Sequence, residues 1–171
     1  MCSPDPAVKE IAVEFGRECD LDQWMNLVAA VSRDFPGLET GAALEEHRHT
    51  VLGFMRAQSA ICAKSGGLIV GTLLFSKETS TLCFLAVAPL FRRQHIAEKM
   101  VSLMLQFMDS GKDVTVSTYR AGVPEGRAAR AFYKCLGFTE GRLTEEFGSP
   151  VQEFILRRQQ PSANPSAKNG F

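Results

Sequence analysis

The sequence lacks an excess of charge of either sign, because 19 Lys and Arg residues balance 19 Asp and Glu residues over 171 positions. General nucleic-acid binders usually carry a clear excess of basic residues, so this balance argues against that class. Long apolar runs are also missing. The longest, at 68–75, contains Gly71 and Thr72 and is far shorter than the roughly 20 residues that span a bilayer. We therefore expect neither a nucleic-acid nor a membrane partner.

Cysteine ligand patterns are absent too, since the five cysteines are scattered and form no CxxC or Cys/His spacing. We expect reduced thiols in a cytoplasmic protein and no metal site. Residues 1–14 carry prolines and charges where a signal peptide would need an apolar run. The composition predicts a single domain at 1–158 with its own core, followed by a polar, proline-interrupted segment at 159–171 that we expect to be a disordered tail.

Hydrophobic periodicity predicts seven strands and four helices. The strands are expected at 9–16, 60–63, 68–75, 82–88, 113–118, 139–147 and 151–157. The helices are expected from Asp20 or Asp22 to Phe35, from the loop at 35–40 to about Ala57, from about Ile96 to near Gly111, and at 127–136. The fourth strand is apolar on both alternating faces, which predicts a central strand covered by helices on both sides.

A basic turn joins this fourth strand to the third helix, over residues 87–97. The first N–H groups of a helix have no intrahelical partner and carry partial positive charge, so the turn 92–97 can hold a pyrophosphate. Arg92 and Arg93 add full positive charge. On spacing alone, an ordinary strand–turn–helix connection with two solvated arginines explains the segment equally well.

The same segment resembles the acetyl-CoA-binding motif of the GNAT superfamily of N-acetyltransferases, which runs Val-x-Pro and then Arg/Gln-x-x-Gly-x-Gly/Ala. Arg92, Ile96 and Ala97 match, while His95 stands where the family usually has glycine. Because a helix N-terminus does not itself demand a positive φ, we expect histidine to fit there. His95 either donates to phosphate or points to solvent.

A second resemblance lies in the fourth helix, whose end matches the family pattern Ala-x-x-Phe/Leu-Tyr-x-x-x-Gly-Phe at Tyr133, Gly137 and Phe138. Gly126 stands where many relatives have asparagine. The two motifs imply a GNAT-like α/β (α+β) fold, with a mixed, mostly antiparallel sheet of about seven strands flanked by four helices. They also imply a cofactor, acetyl-CoA, bound by Leu85, Ala86, Val87, Arg92, Arg93, Gln94, His95, Ile96, Ala97 and Phe132.

The resemblance implies direct attack of an amine on acetyl-CoA in a ternary complex. The pantetheine arm would add to the splayed edge of the fourth strand near Leu85 to Val87, a backbone N–H there would polarise the thioester carbonyl, and Tyr133 would protonate the leaving thiolate. Core packing is the alternative role for Phe132. Catalysis through a cysteine is disfavoured, because no cysteine has a neighbouring histidine in the sequence and Cys83 lies in an apolar strand.

The general base and the acceptor stay open. Glu78, Glu146, Glu153 or a water are the candidates for the base, and the acceptor is a small-molecule amine or a peptide α-amine. We expect the loop at 34–40 and the turn at 148–150 to select it. A homodimer is an open alternative to a monomer. Rival interpretations are a catalytically silent acyl-CoA-binding regulatory module and a nucleotide-binding protein, the latter disfavoured because GxxxxGKS and GxGxxG are both missing.

Overall fold

The structure, a computed structural model, describes residues 9–158 and contains the seven predicted strands and four predicted helices. The tail predicted at 159–171 lies outside the described residues. The strands are β1 (Ile11–Phe15), β2 (Ala60–Ser65), β3 (Leu68–Ser76), β4 (Thr81–Val87), β5 (Val114–Tyr119), β6 (Thr139–Glu146) and β7 (Ser149–Leu156). The helices are α1 (Leu21–Val31), α2 (Gly41–Arg56), α3 (Ile96–Phe107) and α4 (Arg127–Cys135).

Two helix ends differ from the prediction. Helix α1 stops at Val31 instead of continuing to Phe35, because its last turn tightens into a 3-10 turn at Ser32–Asp34. Helix α3 stops before Asp109, whose carboxylate accepts a hydrogen bond from the Gly111 N–H at 2.8 Å. A side chain that bonds to nearby backbone in this way competes with the helical pattern.

The strands form one mixed sheet in the order β1-β2-β3-β4-β5-β7-β6. Every neighbouring pair is antiparallel except β4 and β5, which are parallel. The prediction of a mostly antiparallel sheet of seven strands with four helices is confirmed. The single parallel pair matters for function, because it brings the carboxyl ends of β4 and β5 to the same edge.

Helices cover both faces of the sheet, as the apolar character of β4 predicts. On one face, α3 and α4 pack on the strands through a core that includes Met100, Met104 and Tyr133. On the other face, α1 and α2 contribute Trp24 and Val51 to a second core. Among the described residues, no helix is long and apolar enough to cross a membrane.

Candidate active site

The parallel strands β4 and β5 pair at one point only, between Thr81 and Thr115. Beyond that point they diverge and leave a cavity of about 1210 Å³ between their carboxyl ends. Its walls are the segments 83–87 of β4 and 116–119 of β5. The divergence explains how one sheet edge becomes available in the middle of a continuous sheet.

The free edge of β4 presents the backbone of Leu85 and Val87. The Ala88 N–H donates to the Val70 carbonyl of β3 at 2.8 Å. In an antiparallel pair, N–H and C=O groups of successive residues point alternately toward and away from the partner strand. The backbone groups of Ala86 therefore face β3, whereas those of Leu85 and Val87 face the cavity. Of the three predicted residues, two can offer backbone hydrogen bonds to a ligand.

A β-bulge at Cys83 sets this register. Leu82 pairs with Phe75 and Phe84 pairs with Leu74, so that Cys83 is an extra residue on β4. Its side chain is exposed at the cavity wall, although the sequence places it within an apolar strand. Loss of hydration raises the pKa of the Cys83 thiol. It is therefore protonated at neutral pH and is a poor nucleophile.

The turn 92–97 opens onto the same cavity and begins α3. The first hydrogen bond of the helix runs from the Lys99 N–H to the His95 carbonyl at 3.1 Å, and no side chain caps the N-terminus. The N–H groups of Ile96 and Ala97 consequently have no intrahelical acceptor, and the helix dipole places partial positive charge there. This is the anion-binding geometry that the motif predicts.

The expectation about His95 needs a correction. His95 is the N-cap of α3 and has a φ of 59°, in the left-handed region that favours glycine. The position therefore does require the conformation that the usual glycine supplies freely, and histidine adopts it at a cost of about 1–2 kcal/mol. Its ring is exposed and lies 2.9 Å from the Glu98 carboxylate.

The two arginines of the turn lie at the cavity mouth. Arg92 donates from Nε to the Val87 carbonyl at 3.2 Å and approaches the Asp34 carboxylate at 3.4 Å. Arg93 also lines the cavity, and its backbone has a positive φ of 62°. Gln94 points elsewhere, since it lines a separate shallow depression beside Lys99 on the outer side of α3. Of all the residues predicted for the cofactor site, Gln94 alone does not line the cavity.

Tyr133 enters the cavity from α4 and is 5% exposed. Its ring packs against those of Phe132, Phe138 and Phe154, with centroid distances of 5.4, 5.5 and 6.2 Å. The helix ends at Gly137, which has the expected left-handed φ of 91°, and Phe138 folds back as its N–H bonds to the Tyr133 carbonyl. Burial raises the pKa of Tyr133 well above its ordinary value, so the phenol keeps its proton and can donate it.

Gly126 replaces the frequent asparagine for a steric reason. A Cβ atom at Gly126 would lie 2.6 Å from the Cβ of Tyr119 on β5. Such a contact is too short for two Cβ atoms, and every residue except glycine carries one. The backbone path at positions 119 and 126 therefore leaves room at 126 only for glycine unless the backbone moves.

The candidate bases separate in the structure. Glu146 lines the cavity, whereas Glu153 approaches Arg142 at 3.5 Å and Glu78 lies away from the cavity lining. Phe147, the residue before the predicted turn at 148–150, packs over Gly37 of the α1–α2 loop, and both line the cavity, whereas residues 148–150 are not part of its lining. Sequence reasoning missed His47, which lines the cavity from α2. Its signal is the spacing Leu44, His47, Val51, which continues the inward face of that helix.

Comparison with known proteins supports this description. A family model described as an acetyltransferase (GNAT) domain matches residues 56–140, which contain β4, the turn and α4. Among curated proteins, no sequence matches this chain. An acetyltransferase of the GNAT family from Bacillus cereus superposes with a TM-score of 0.68 at 16% identity, over 88% of this chain and 99% of that one.

Two further solved structures contain ligands. One is the PaiA N-acetyltransferase of Thermoplasma acidophilum, in complex with coenzyme A. It superposes with a TM-score of 0.63 at 13% identity, over 84% of this chain and 98% of that one. YncA of Salmonella typhimurium, with its cofactor acetyl-CoA, has a TM-score of 0.64 at 13% identity, over 92% of this chain and 98% of that one. At these identities the likeness concerns the fold. With the family match and the splayed β4–β5 edge, it establishes that the chain belongs to the GNAT superfamily of acetyltransferases.

Proposed function

We propose that the protein is an N-acetyltransferase that moves an acetyl group from acetyl-CoA to a primary amine by direct attack in a ternary complex. The observation that carries the proposal is the convergence of three groups on one cavity: the β4 edge formed by the backbone of Leu85 and the Val87 N–H, the open N-terminus of α3, and the buried phenol of Tyr133. These are donors for a pantetheine arm, a pyrophosphate and a leaving sulfur, respectively.

The residues present fit acetyl-CoA. The N–H groups of Ile96 and Ala97, with Arg92 and Arg93, would bind the pyrophosphate. The N–H and C=O groups of Leu85 and the N–H group of Val87 would pair with the amide groups of the pantetheine arm in the manner of an added strand. Phe132 would contact the arm from α4. When bound, acetyl-CoA supplies the thioester carbonyl that the amine attacks.

A backbone N–H of the free β4 edge would donate to the carbonyl oxygen as negative charge develops on it. Such a donor, fixed by the sheet, needs no reorganisation during the reaction. Tyr133 would give its proton to the departing sulfur. Its raised pKa ensures that the proton is present across the physiological pH range.

The size and charge of the cavity favour two substrates and a cationic acceptor. Single small-molecule sites measure about 300–1,000 Å³, and this cavity, at about 1210 Å³, exceeds that range. The cavity lining carries the carboxylates of Glu46, Glu125 and Glu146, among others. These charges would attract the amine as its ammonium form. Both a small-molecule amine and a peptide α-amine fit this description.

Isothermal titration followed by a thiol-release assay tests the proposal. We expect acetyl-CoA to bind while ATP and NAD do not, and we expect free CoA thiol to appear only when an amine is added. A panel of peptide α-amines, polyamines and lysine derivatives identifies the acceptor class. Acetyl-CoA binding without transfer to any amine would favour the silent regulatory module. Failure to bind acetyl-CoA would contradict the proposal.

A further inference from the structure

The helix that carries Tyr133 is anchored by a buried arginine that lies outside the cavity lining. This residue, Arg130, is 8% exposed. Its Nη1 atom donates to the Tyr119 carbonyl of β5 at 3.1 Å and to the Gln152 side chain of β7 at 2.9 Å. Its Nη2 atom donates to the Glu140 carboxylate of β6 at 2.8 Å. One side chain therefore connects α4 to three strands of the sheet.

The hydrogen bonds of Arg130 belong to a larger polar network. Gln152 donates from Nε2 to the Gly141 carbonyl at 3.2 Å, so its amide is bonded on both sides. The Glu140 carboxylate also approaches Lys134 at 2.7 Å, and the two cations hold the pKa of this carboxyl below its usual value. A buried guanidinium is costly unless it is paired in this way. A residue without its fork of donors would leave acceptors of the network unbonded.

The same guanidinium is linked to Tyr133 through one aromatic ring, that of Phe154. The Cζ atom of Arg130 lies over this ring at 5.0 Å from its centroid, which is a cation–π distance. The centroid of the Tyr133 ring is 6.2 Å from that of Phe154, which is completely buried. Arg130 and Tyr133 are also three residues apart on α4 and lie on one face of it. Displacement of Arg130 would therefore move both the helical turn and the ring against which the phenol packs.

Arg130 acts on the phenol through its position and not through its charge. A positive charge beside a phenol would lower its pKa, whereas burial raises the pKa of Tyr133. The other rings that contact Tyr133, those of Phe132 and Phe138, are apolar and supply packing without directional bonds. The direction of the O–H group consequently depends on where α4 lies on the sheet.

We propose that Arg130 is the positioning residue for Tyr133, an inference that rests on the proposed transferase function. By fixing α4 on β5, β6 and β7, it would hold the phenol where the departing sulfur accepts a proton. A misplacement of about 1 Å can cost a reaction about 100-fold. The network around Arg130 would therefore decide how much of the phenol's contribution is realised, although Arg130 itself does not line the cavity.

A double-mutant cycle of Arg130→Lys and Tyr133→Phe in the full chain tests this assignment. The substrate is the panel amine that the wild type acetylates fastest, and lysine keeps the charge but not the fork of donors. We expect Arg130→Lys to lose about 10-fold in kcat, a part of the roughly 100-fold expected for the acid itself, with acetyl-CoA affinity kept. In the Tyr133→Phe background the same substitution should cost nothing further, because the group that it misplaces is already absent.

The matched control is Lys134→Gln. Lys134 lies on the same helix and contacts the same Glu140 carboxylate, but its side chain is 54% exposed and does not line the cavity. We expect its kcat to equal that of the wild type. If Arg130→Lys is unfolded at the assay temperature in a thermal melt, Glu140→Gln serves instead, since it weakens one anchor at a partly exposed position. Its smaller loss in kcat should again vanish in the Tyr133→Phe background.

The possible outcomes separate this inference from the proposed function. Wild-type kcat in both Arg130→Lys and Glu140→Gln would overturn the inference alone. An equal loss of kcat with and without the Tyr133 hydroxyl would also overturn it, because Arg130 would then support the fold and not the phenol. Unchanged kcat in Tyr133→Phe would remove the acid and this inference with it, while amine acetylation would still support the transferase. No transfer by the wild type to any amine would overturn both.

Discussion

The two halves of the cavity differ in which groups line them, since one presents backbone groups and the other presents side chains. The cofactor half, around β4, the turn 92–97 and the start of α3, offers backbone N–H and C=O groups whose directions follow from secondary structure. The other half of the lining, contributed by α2 and the β6–β7 hairpin, is where we propose that the acceptor binds, and it offers side chains such as His47, Glu146 and Phe147. A backbone-built half tolerates substitution as long as the chain path is kept. A half built from side chains can change specificity through single residues.

The largest expected effect concerns the group that both halves share, the phenol of Tyr133. We expect Tyr133→Phe to fold normally, because removal of one oxygen keeps the packing against its aromatic neighbours. The variant should lose about 100-fold in kcat, the lower end for a positioned acid, since a thiol with a pKa of about 8.5 also leaves without help. The loss should shrink toward alkaline pH. Steady-state kinetics from pH 6 to 9 would check this, and an equal loss of acetyl-CoA affinity would make Tyr133 a binding contact instead.

The next effect tests the close approach of the chain at Gly126 and Tyr119. We expect Gly126→Asn to lower the free energy of unfolding by about 2 kcal/mol, the scale of overpacking, because its Cβ would meet the Cβ of Tyr119 at 2.6 Å. The double variant Gly126→Asn with Tyr119→Gly removes that contact and should recover part of the loss. Urea denaturation measures both. If Gly126→Asn alone were as stable as the wild type, the steric explanation would be wrong.

A smaller effect separates backbone from side-chain binding at the turn. We expect Ala97→Leu to weaken acetyl-CoA binding more than Arg92→Ala does, because a large side chain would keep the pyrophosphate away from the helix N–H groups. For Arg92→Ala we expect a loss of about 1.5 kcal/mol, the lower end for a charged hydrogen bond, since this side chain is half exposed. Titration calorimetry ranks the two variants. The reverse order would mean that the arginine charge, rather than the backbone, holds the cofactor.

The smallest effect concerns the strained N-cap of α3. We expect His95→Gly to raise the free energy of unfolding by about 1 kcal/mol, because glycine adopts the left-handed φ of 59° without a steric penalty. Acetyl-CoA affinity should stay the same, since the ring faces solvent. His95→Ala serves as the control and should not stabilise. A marked loss of affinity in His95→Gly would show instead that the imidazole donates to phosphate.

The sequence could predict the local motifs of this molecule but not the features that depend on how distant elements pack. The α3 turn and the Tyr133–Gly137–Phe138 segment are each local, so spacing along the chain was enough to locate them. The φ of His95 was not predictable from helix rules, because it depends on how the turn leaves β4. The position of His47 at the cavity depends on which face of α2 covers β4, and that is decided by the packing of distant elements.

The contact between Gly37 and Phe147 is another feature that depends on long-range packing and could not be predicted from the sequence. The sequence predicts Gly37 in a loop and Phe147 at the end of a strand, but their meeting requires the β6–β7 hairpin to reach across to the α1–α2 loop. From the sequence, a histidine that continues an apolar helical face, as His47 does on α2, has the pattern of a core residue, and only the structure shows that it lines the cavity.

The central claim, direct transfer in a ternary complex, is tested most directly by two-substrate initial-rate kinetics with acetyl-CoA and the best amine of the panel. We expect intersecting lines in double-reciprocal plots, since both substrates must occupy the cavity together before CoA leaves. Parallel lines, accompanied by a stable acetyl label on the protein after incubation with acetyl-CoA alone, would contradict it. That result would point to a covalent acetyl-enzyme and therefore to one of the two thiols that line the cavity among the described residues, Cys83 or Cys135.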